Sequence, residues 1–263
     1  MELTPFTDLL AAMRRTEEGG QIQLPPDWLQ GRTAYGGLSA ALCLHATLLE
    51  DDLPPLRSAQ FTFVVPATGE LHVRPQVLRR GKSAVIVCTD LDGDDGLAVK
   101  SILTFGRNRP SAHAHQGLVA PVVPPPQACG DYYSWPDLAN FMHHFEGRLV
   151  SGSRPCVGET LPAMAVWLRH RDAGDDASLV RLLALADALP PAALALSSAP
   201  HPISTMTWSV DLVCEQPRSA SGWWLVDTHA ETSAQGYSVQ STVIWNDVGE
   251  AILVARQCVA IFG

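Results

Sequence analysis

The sequence predicts an α+β protein made of two similar units, each a helix packed against a four-stranded antiparallel meander. Three observations predict it. The chain repeats itself with a period of about 150 residues. Both repeats end in runs rich in Val, Ile, Phe and Thr, broken by Gly, Asp and Pro turns. A stretch of small, helix-favouring residues precedes the runs in each unit. The apolar content of 46% and charged content of 17% can fill a dry core and exclude a disordered chain.

The repeat is visible in four places. A polar turn and the run Leu97–Gly106 match a polar turn and the run Val254–Gly263. Upstream, Arg80-Gly81-Lys82-Ser83 matches Gln235-Gly236-Tyr237-Ser238, and Phe63–Pro66 matches Cys214–Pro217. Leu38–Leu42 matches Pro190–Leu194. The offset grows only at turns, where insertions are tolerated.

The first helix is expected over Gly36–Leu49, with strands near Arg57–Val65, Glu70–Arg79, Ser83–Leu91 and Leu97–Phe105. Pro75 places the second of these near an edge or bulge. In the second unit a helical lead-in over Ala177–Ala186 precedes a helix expected from Asp187 to Leu196, with Pro190 and Pro191 near a fresh start. Its strands are expected near Thr205–Cys214, Trp223–Ala234, Ser238–Trp245 and Ile252–Ile261. The domains are therefore 1–106, a stiff Pro-rich linker 107–130, and 131–263. Joining the two sheets edge to edge would cover their open edges.

A net charge of −9 argues against a nucleic-acid partner. An anionic ligand would need a local basic patch, and Arg79, Arg80 and Lys82 flank one hairpin turn. The six cysteines form no CxxC pair, so a zinc or dithiol site has no support. His45, the pair His143-His144, and His113 with His115 read as core or surface residues rather than metal ligands. No apolar run is long enough to span a bilayer and the first residues do not read as a signal peptide, so a cytoplasmic protein is expected. Trp223 and Trp224 would pack in the core or line a tunnel.

Four segments carry a family resemblance: Arg32-Thr33-Ala34-Tyr35-Gly36-Gly37, Leu185-Ala186-Asp187-Ala188-Leu189, Thr205–Val210 leading to Glu215-Gln216-Pro217, and Val254-Ala255-Arg256-Gln257. In this order they resemble the double-hotdog acyl-CoA thioesterases, in particular the acyl-CoA thioesterase II group. The resemblance implies a tandem hotdog fold, hydrolysis of acyl-CoA with no cofactor beyond the substrate's own coenzyme A, a role in fatty acid metabolism, and pairing into a homodimer or larger homo-oligomer. It also implies a water-activating trio at Asp187, Thr207 and Gln257.

Chemically, a carboxylate can take a proton from water, and a hydroxyl and an amide can orient that water. Tyr35, Gly36 and Gly37 at a helix start would form the substrate and oxyanion side, and Arg79, Arg80 and Lys82 would meet the coenzyme A phosphates. Without the resemblance, Asp187 reads first as an N-cap and Thr207 as a strand former, and Gly36-Gly37 could be only a tight turn. By the repeat, Asp187, Thr207 and Gln257 correspond to Tyr35, Leu56 and Lys100, so one site per chain is expected. Two alternatives stand beside the hydrolase: a non-catalytic acyl-CoA-binding protein, and a hotdog hydratase or dehydratase, against which the lack of a His partner near Asp187 argues.

Overall fold

The computed structural model describes residues 2–175 and 177–262. The N-terminal half runs α1 (Phe6–Ala11), β1 (Arg14–Thr16), β2 (Gly19–Gln23), the small ribbon β3 (Leu29–Gln30) and β4 (Thr33–Ala34), α2 (Gly36–Thr47), β5 (Leu56–Phe63), β6 (Glu70–Arg80), β7 (Ala84–Gly93) and β8 (Gly96–Gly106). The C-terminal half runs β9 (Gly130–Asp131), β10 (Phe145–Gly152), β11 (Ala163–His170), α3 (Leu179–Ala186), β12 (Ile203–Leu212), β13 (Trp224–Ala234), β14 (Tyr237–Trp245) and β15 (Ala251–Ile261).

Thirteen strands form one sheet in the order β1-β2-β6-β7-β8-β5-β12-β15-β14-β13-β11-β10-β9. The order is the same in both directions from the β5–β12 seam, so a pseudo-two-fold axis passes through that seam. The halves join there by antiparallel pairing from Thr62 opposite Thr207 to Ser58 opposite Asp211. The sheet wraps α2 and α3, which is the tandem hotdog arrangement. Residues Leu38–Leu44 of α2 are all buried, and a helix apolar on every side must be enclosed. Leu44 of α2 meets Leu179, Leu182 and Leu183 of α3 around a small apolar void.

The eight expected meander strands lie within a few residues of their expected limits. The meander is extended in each half by strands ahead of the helix, β2 beside β6 and β11 beside β13. The helix of the C-terminal half departs more from expectation. It occupies Leu179–Ala186, with Ser178 as the N-cap accepting from the Arg181 N–H. Asp187 is therefore the residue that ends a helix, not one that starts it. Pro190 and Pro191 cannot donate to a helical ladder, and the chain after them forms only a 3₁₀ turn, Ala192–Leu196.

The linker crosses the outer face of the C-terminal sheet. Leu118, Ala120 and Val123 pack on the buried Trp167, Trp223 and Trp245, and the Trp167 indole N–H donates to the Pro124 carbonyl at 3.0 Å. Trp223 thus sits under the linker, whereas Trp224 joins the main core. Among the described residues, no helix is long and apolar enough to cross a membrane.

Candidate active site

One row of residues crosses the inner face of the sheet through the seam. Reading outward on each side, Phe61, Ser101 and Thr89 stand in register on β5, β8 and β7. Trp208, Gln257 and Gln240 stand in register on β12, β15 and β14. All six are buried. Gln257 and Gln240 lie beneath the end of α3, and there the site forms.

Asp187 leaves α3 with φ −114° and ψ 19°, so its side chain turns down toward β15. Its Oδ1 accepts from Gln257 Nε2 at 2.8 Å. The same Nε2 donates to Thr205 Oγ1 at 3.0 Å. On the other side, Gln257 Oε1 accepts from Gln240 Nε2 at 2.7 Å, and Gln240 Oε1 accepts from the Ala192 N–H at 3.0 Å.

The start of α2 closes the site from above. Tyr35 is its N-cap, buried and stacked on Phe141 at 4.0 Å, with its hydroxyl donating to the Ala184 carbonyl at 3.1 Å. Tyr35 thereby ties the beginning of α2 to the last turn of α3. A Cβ on Gly36 would lie 2.6 Å from Asp187 Oδ2 and 3.2 Å from the Phe63 ring. A Cβ on Gly37 would lie 2.6 Å from the Ala184 carbonyl oxygen and 3.0 Å from the Asp187 Cβ. Both glycines are required by this close approach of carboxylate and helix backbone.

Burial pushes the Asp187 carboxyl up from 3.8 to about 7, against the opposing hydrogen bonds from Gln257 and the Gly37 N–H. Desolvation disfavours the charged form, and no cation offsets it among the described groups that act on this carboxyl. Burial likewise holds the Tyr35 phenol well above its usual range, with Asp187 adding to the effect. A carboxyl that titrates near neutrality is suited to accept and return a proton at physiological pH. A cleft of about 310 Å³ opens beside the site from the N-terminal half, lined in part by Gly36, Ser39, Phe63, Val99 and Thr205.

The structure brings Asp187 and Gln257 together but substitutes Thr205 for Thr207. On an unbroken strand the two threonines would share a face. A bulge between them breaks the alternation: Thr205 stands opposite Val259, and Thr207 stands opposite Cys258. Thr205 therefore faces inward with Gln257, and Thr207 is exposed on the outer face. A β-bulge redirects side chains in this way, and nothing in the alternation of Thr205-Met206-Thr207 announces it. Gln240 belongs to no motif of the sequence. Its only signal is a polar residue at an inward position of β14.

Two family models match, one for the N-terminal domain of acyl-CoA thioesterases over residues 24–106, the other for the C-terminal domain over residues 119–261. The chain belongs to the acyl-CoA thioesterase family. Solved structures agree on the hotdog fold. A hot dog fold protein of unknown function from Alicyclobacillus acidocaldarius is similar with a TM-score of 0.88 and 21% identity, covering 99% of both chains. The tesB protein of Mycobacterium avium subspecies paratuberculosis is similar at 0.80 and 18% identity, covering 98% of this chain and 99% of its own. The acyl-CoA thioesterase II TesB2 of Mycobacterium marinum is similar at 0.76 and 15% identity, covering 97% and 98%. No curated protein matches the sequence as a relative.

Within this thioesterase frame the two halves are not equivalent. The pseudo-two-fold relates the end of α3 to the end of α2, so the counterpart of Asp187 is the region of Thr47 rather than Tyr35. There Thr47 and Thr89 share a hydroxyl hydrogen bond of 2.6 Å, and Ser101 donates to the Thr89 carbonyl. Ser101, not Lys100, takes the inward place of Gln257. Lys100 points outward and pairs with Asp90 at 2.8 Å. The N-terminal half thus carries hydroxyls where the C-terminal half carries a carboxyl and an amide.

Arg79, Arg80 and Lys82 are not brought to the site. Phe63, beside Gly36, is in register with Val99, Leu91 and Val73. Arg80 lies seven residues beyond Val73 along β6, about 23 Å at the usual rise per residue. Arg80 also donates to the Asp51 and Asp52 carbonyls.

The histidines take structural places. His144 stacks on Trp28 at 3.7 Å with its Nε2 3.1 Å from Asp27 Oδ2, and His143, His113 and His115 are exposed. Among the described residues no group of three or more His, Cys, Asp or Glu side chains is placed to hold a metal. All six cysteines are free.

Proposed function

We propose that this chain hydrolyses acyl-CoA thioesters with a water activated by Asp187 and Gln257, with Thr205 as the hydroxyl partner. The observation that carries the reading is the hydrogen-bonded Asp187–Gln257–Thr205 cluster, whose Thr205 lines the cleft, with a carboxyl that titrates near neutrality. Oδ1 of Asp187 is engaged by Gln257, and Oδ2, beside Gly36, serves as the base. Thr205 Oγ1 accepts from Gln257, so its own proton is free to be donated to the attacking water or the thioester oxygen.

Water attacks the thioester carbonyl as Asp187 Oδ2 takes its proton. The C–S bond then breaks, and that proton passes to the departing thiolate. Negative charge on the carbonyl oxygen is met by the first-turn N–H groups of α2. Of these the Gly37 N–H is already directed at Asp187, so Gly36 and Leu38 supply the donors. Acyl-CoA is the substrate class that family membership supports.

The test is loss of thioester absorbance over a panel of acyl-CoAs of graded length and aryl-CoAs, for the wild type and Asp187→Asn. The reading requires at least one substrate to be turned over and the variant, still folded, to lose most of that rate. Binding without turnover by the wild type would instead favour an acyl-CoA-binding protein.

A further inference from the structure

The direction of a hydrogen-bond chain can be fixed by one member that cannot reverse. Gln257 and Gln240 each carry an amide whose oxygen and nitrogen ends are nearly the same size. Either could, on its own, be turned around. The member that cannot be reversed is the Ala192 N–H, which only donates. It lies 3.0 Å from Gln240 Oε1. That bond forces Gln240 to present its nitrogen to Gln257, and the 2.7 Å bond to Gln257 Oε1 follows. Gln257 must then present its nitrogen to Asp187 and Thr205.

The Ala192 N–H is free for this role because of the two prolines before it. Pro191 is extended, φ −55° and ψ 135°, and Ala192 opens the 3₁₀ turn as its first residue. The first N–H groups of such a turn have no partner within it. Ala192 and Gln240 are both buried, so solvent does not compete for the bond. The Pro190-Pro191 pair, which breaks the expected helix, is what aims a lone backbone donor at the sheet.

We propose that Gln240, held by the Ala192 N–H, is a positioning residue that locks the Gln257 amide as a donor toward Asp187. The lock favours the ionised carboxylate, since a reversed Gln257 would set its oxygen against Asp187 and require the protonated acid. The other groups facing Asp187 are the Gly37 N–H and the Tyr35 ring from the start of α2 and, beyond Gln257, Thr205 from β12. None of them is a cation. Tyr133 donates to the neighbouring Ala188 carbonyl and is held neutral by burial. The proposal deepens the hydrolase reading in its consequence for rate, but its primary measurement does not depend on turnover.

The experiment titrates the Asp187 carboxyl by ¹³C NMR in aspartate-labelled protein, assigned by its absence in Asp187→Asn. Gln240→Met keeps the length of the side chain and removes both ends of the amide. The midpoint is expected to rise by about one pH unit, as loss of a favourable orientation of one buried donor should produce. Ala192→Pro removes the N–H at a position whose preceding residue is already extended, and is expected to move the midpoint the same way. It decides the matter where Gln240→Met does not fold.

A folded variant with an unmoved midpoint overturns the proposal. Turnover is measured in parallel, with kcat at pH 7 expected to fall roughly tenfold and KM to stay within about twofold. A shifted midpoint in a protein that hydrolyses no acyl-CoA would leave the lock standing and remove the hydrolase reading. An active wild type, an inactive Asp187→Asn and an unshifted, fully active Gln240→Met would do the reverse.

Discussion

Asp187→Asn should make the protein more stable at alkaline pH while removing its activity. The carboxyl is raised from 3.8 to about 7 by burial. A group whose folded-state pKa lies above its unfolded value adds stability that is fully present below the unfolded pKa. That contribution is lost as pH rises through the folded pKa. The window therefore opens near pH 4, and the loss is complete above about pH 7. About three pH units at about 1.4 kcal/mol each set a ceiling of about 4 kcal/mol for the cost of ionising Asp187 in place.

Asparagine keeps an oxygen to accept from Gln257 and carries no charge. Urea unfolding of both proteins between pH 4 and 8.5 measures the difference. The gap in unfolding free energy should widen with pH in favour of the variant, by a few kcal/mol at most, and then level off. Two parallel curves would refute the reasoning, because Asp187 would then titrate alike in the folded and unfolded chain. A widening gap in a variant that keeps full acyl-CoA turnover would separate the burial argument from the catalytic one.

Thr205→Ala should cut kcat by roughly ten- to a hundredfold, whereas Thr207→Ala on the outer face should leave it within about twofold, in steady-state assays of the two variants side by side. Gly36→Ala puts a methyl group 2.6 Å from Asp187 Oδ2 and should lower activity at least tenfold with little loss of thermal stability, since the carboxylate can swing away at the expense of the site. Gly37→Ala meets the Ala184 backbone oxygen at 2.6 Å and should instead lower unfolding free energy by about 2 kcal/mol, the range for overpacking, as read by denaturant melts. Removing the charges of Arg79, Arg80 and Lys82 together should leave KM for acyl-CoA within about twofold at low ionic strength, because these side chains stand at the far end of β6. A large rise in KM would return them to the coenzyme A site.

The strands and the duplication could be read from the sequence because their causes are local. Alternation of apolar residues along a strand, and Gly or Asp at a turn, depend on neighbours a few positions away. Asp187 and Gln257 were singled out by the family resemblance and not by local pattern, whereas Tyr35-Gly36-Gly37 also carries the local signal of a glycine pair entering a helix. Three features were decided by packing between distant segments. The bulge at Met206 depends on how β12 must meet both β5 and β15, and it exchanged Thr207 for Thr205. The end of α3 at Asp187 shows the cost of two prolines in a helix, but the sequence could not say on which side of them the helix would lie. The place of Gln240 emerges only when β14, β15 and the turn at Ala192 converge, from residues 48 positions apart. A hydrogen bond between such segments leaves no periodic trace in the chain, since its energy depends on geometry that exists only after the sheet has closed around the helices.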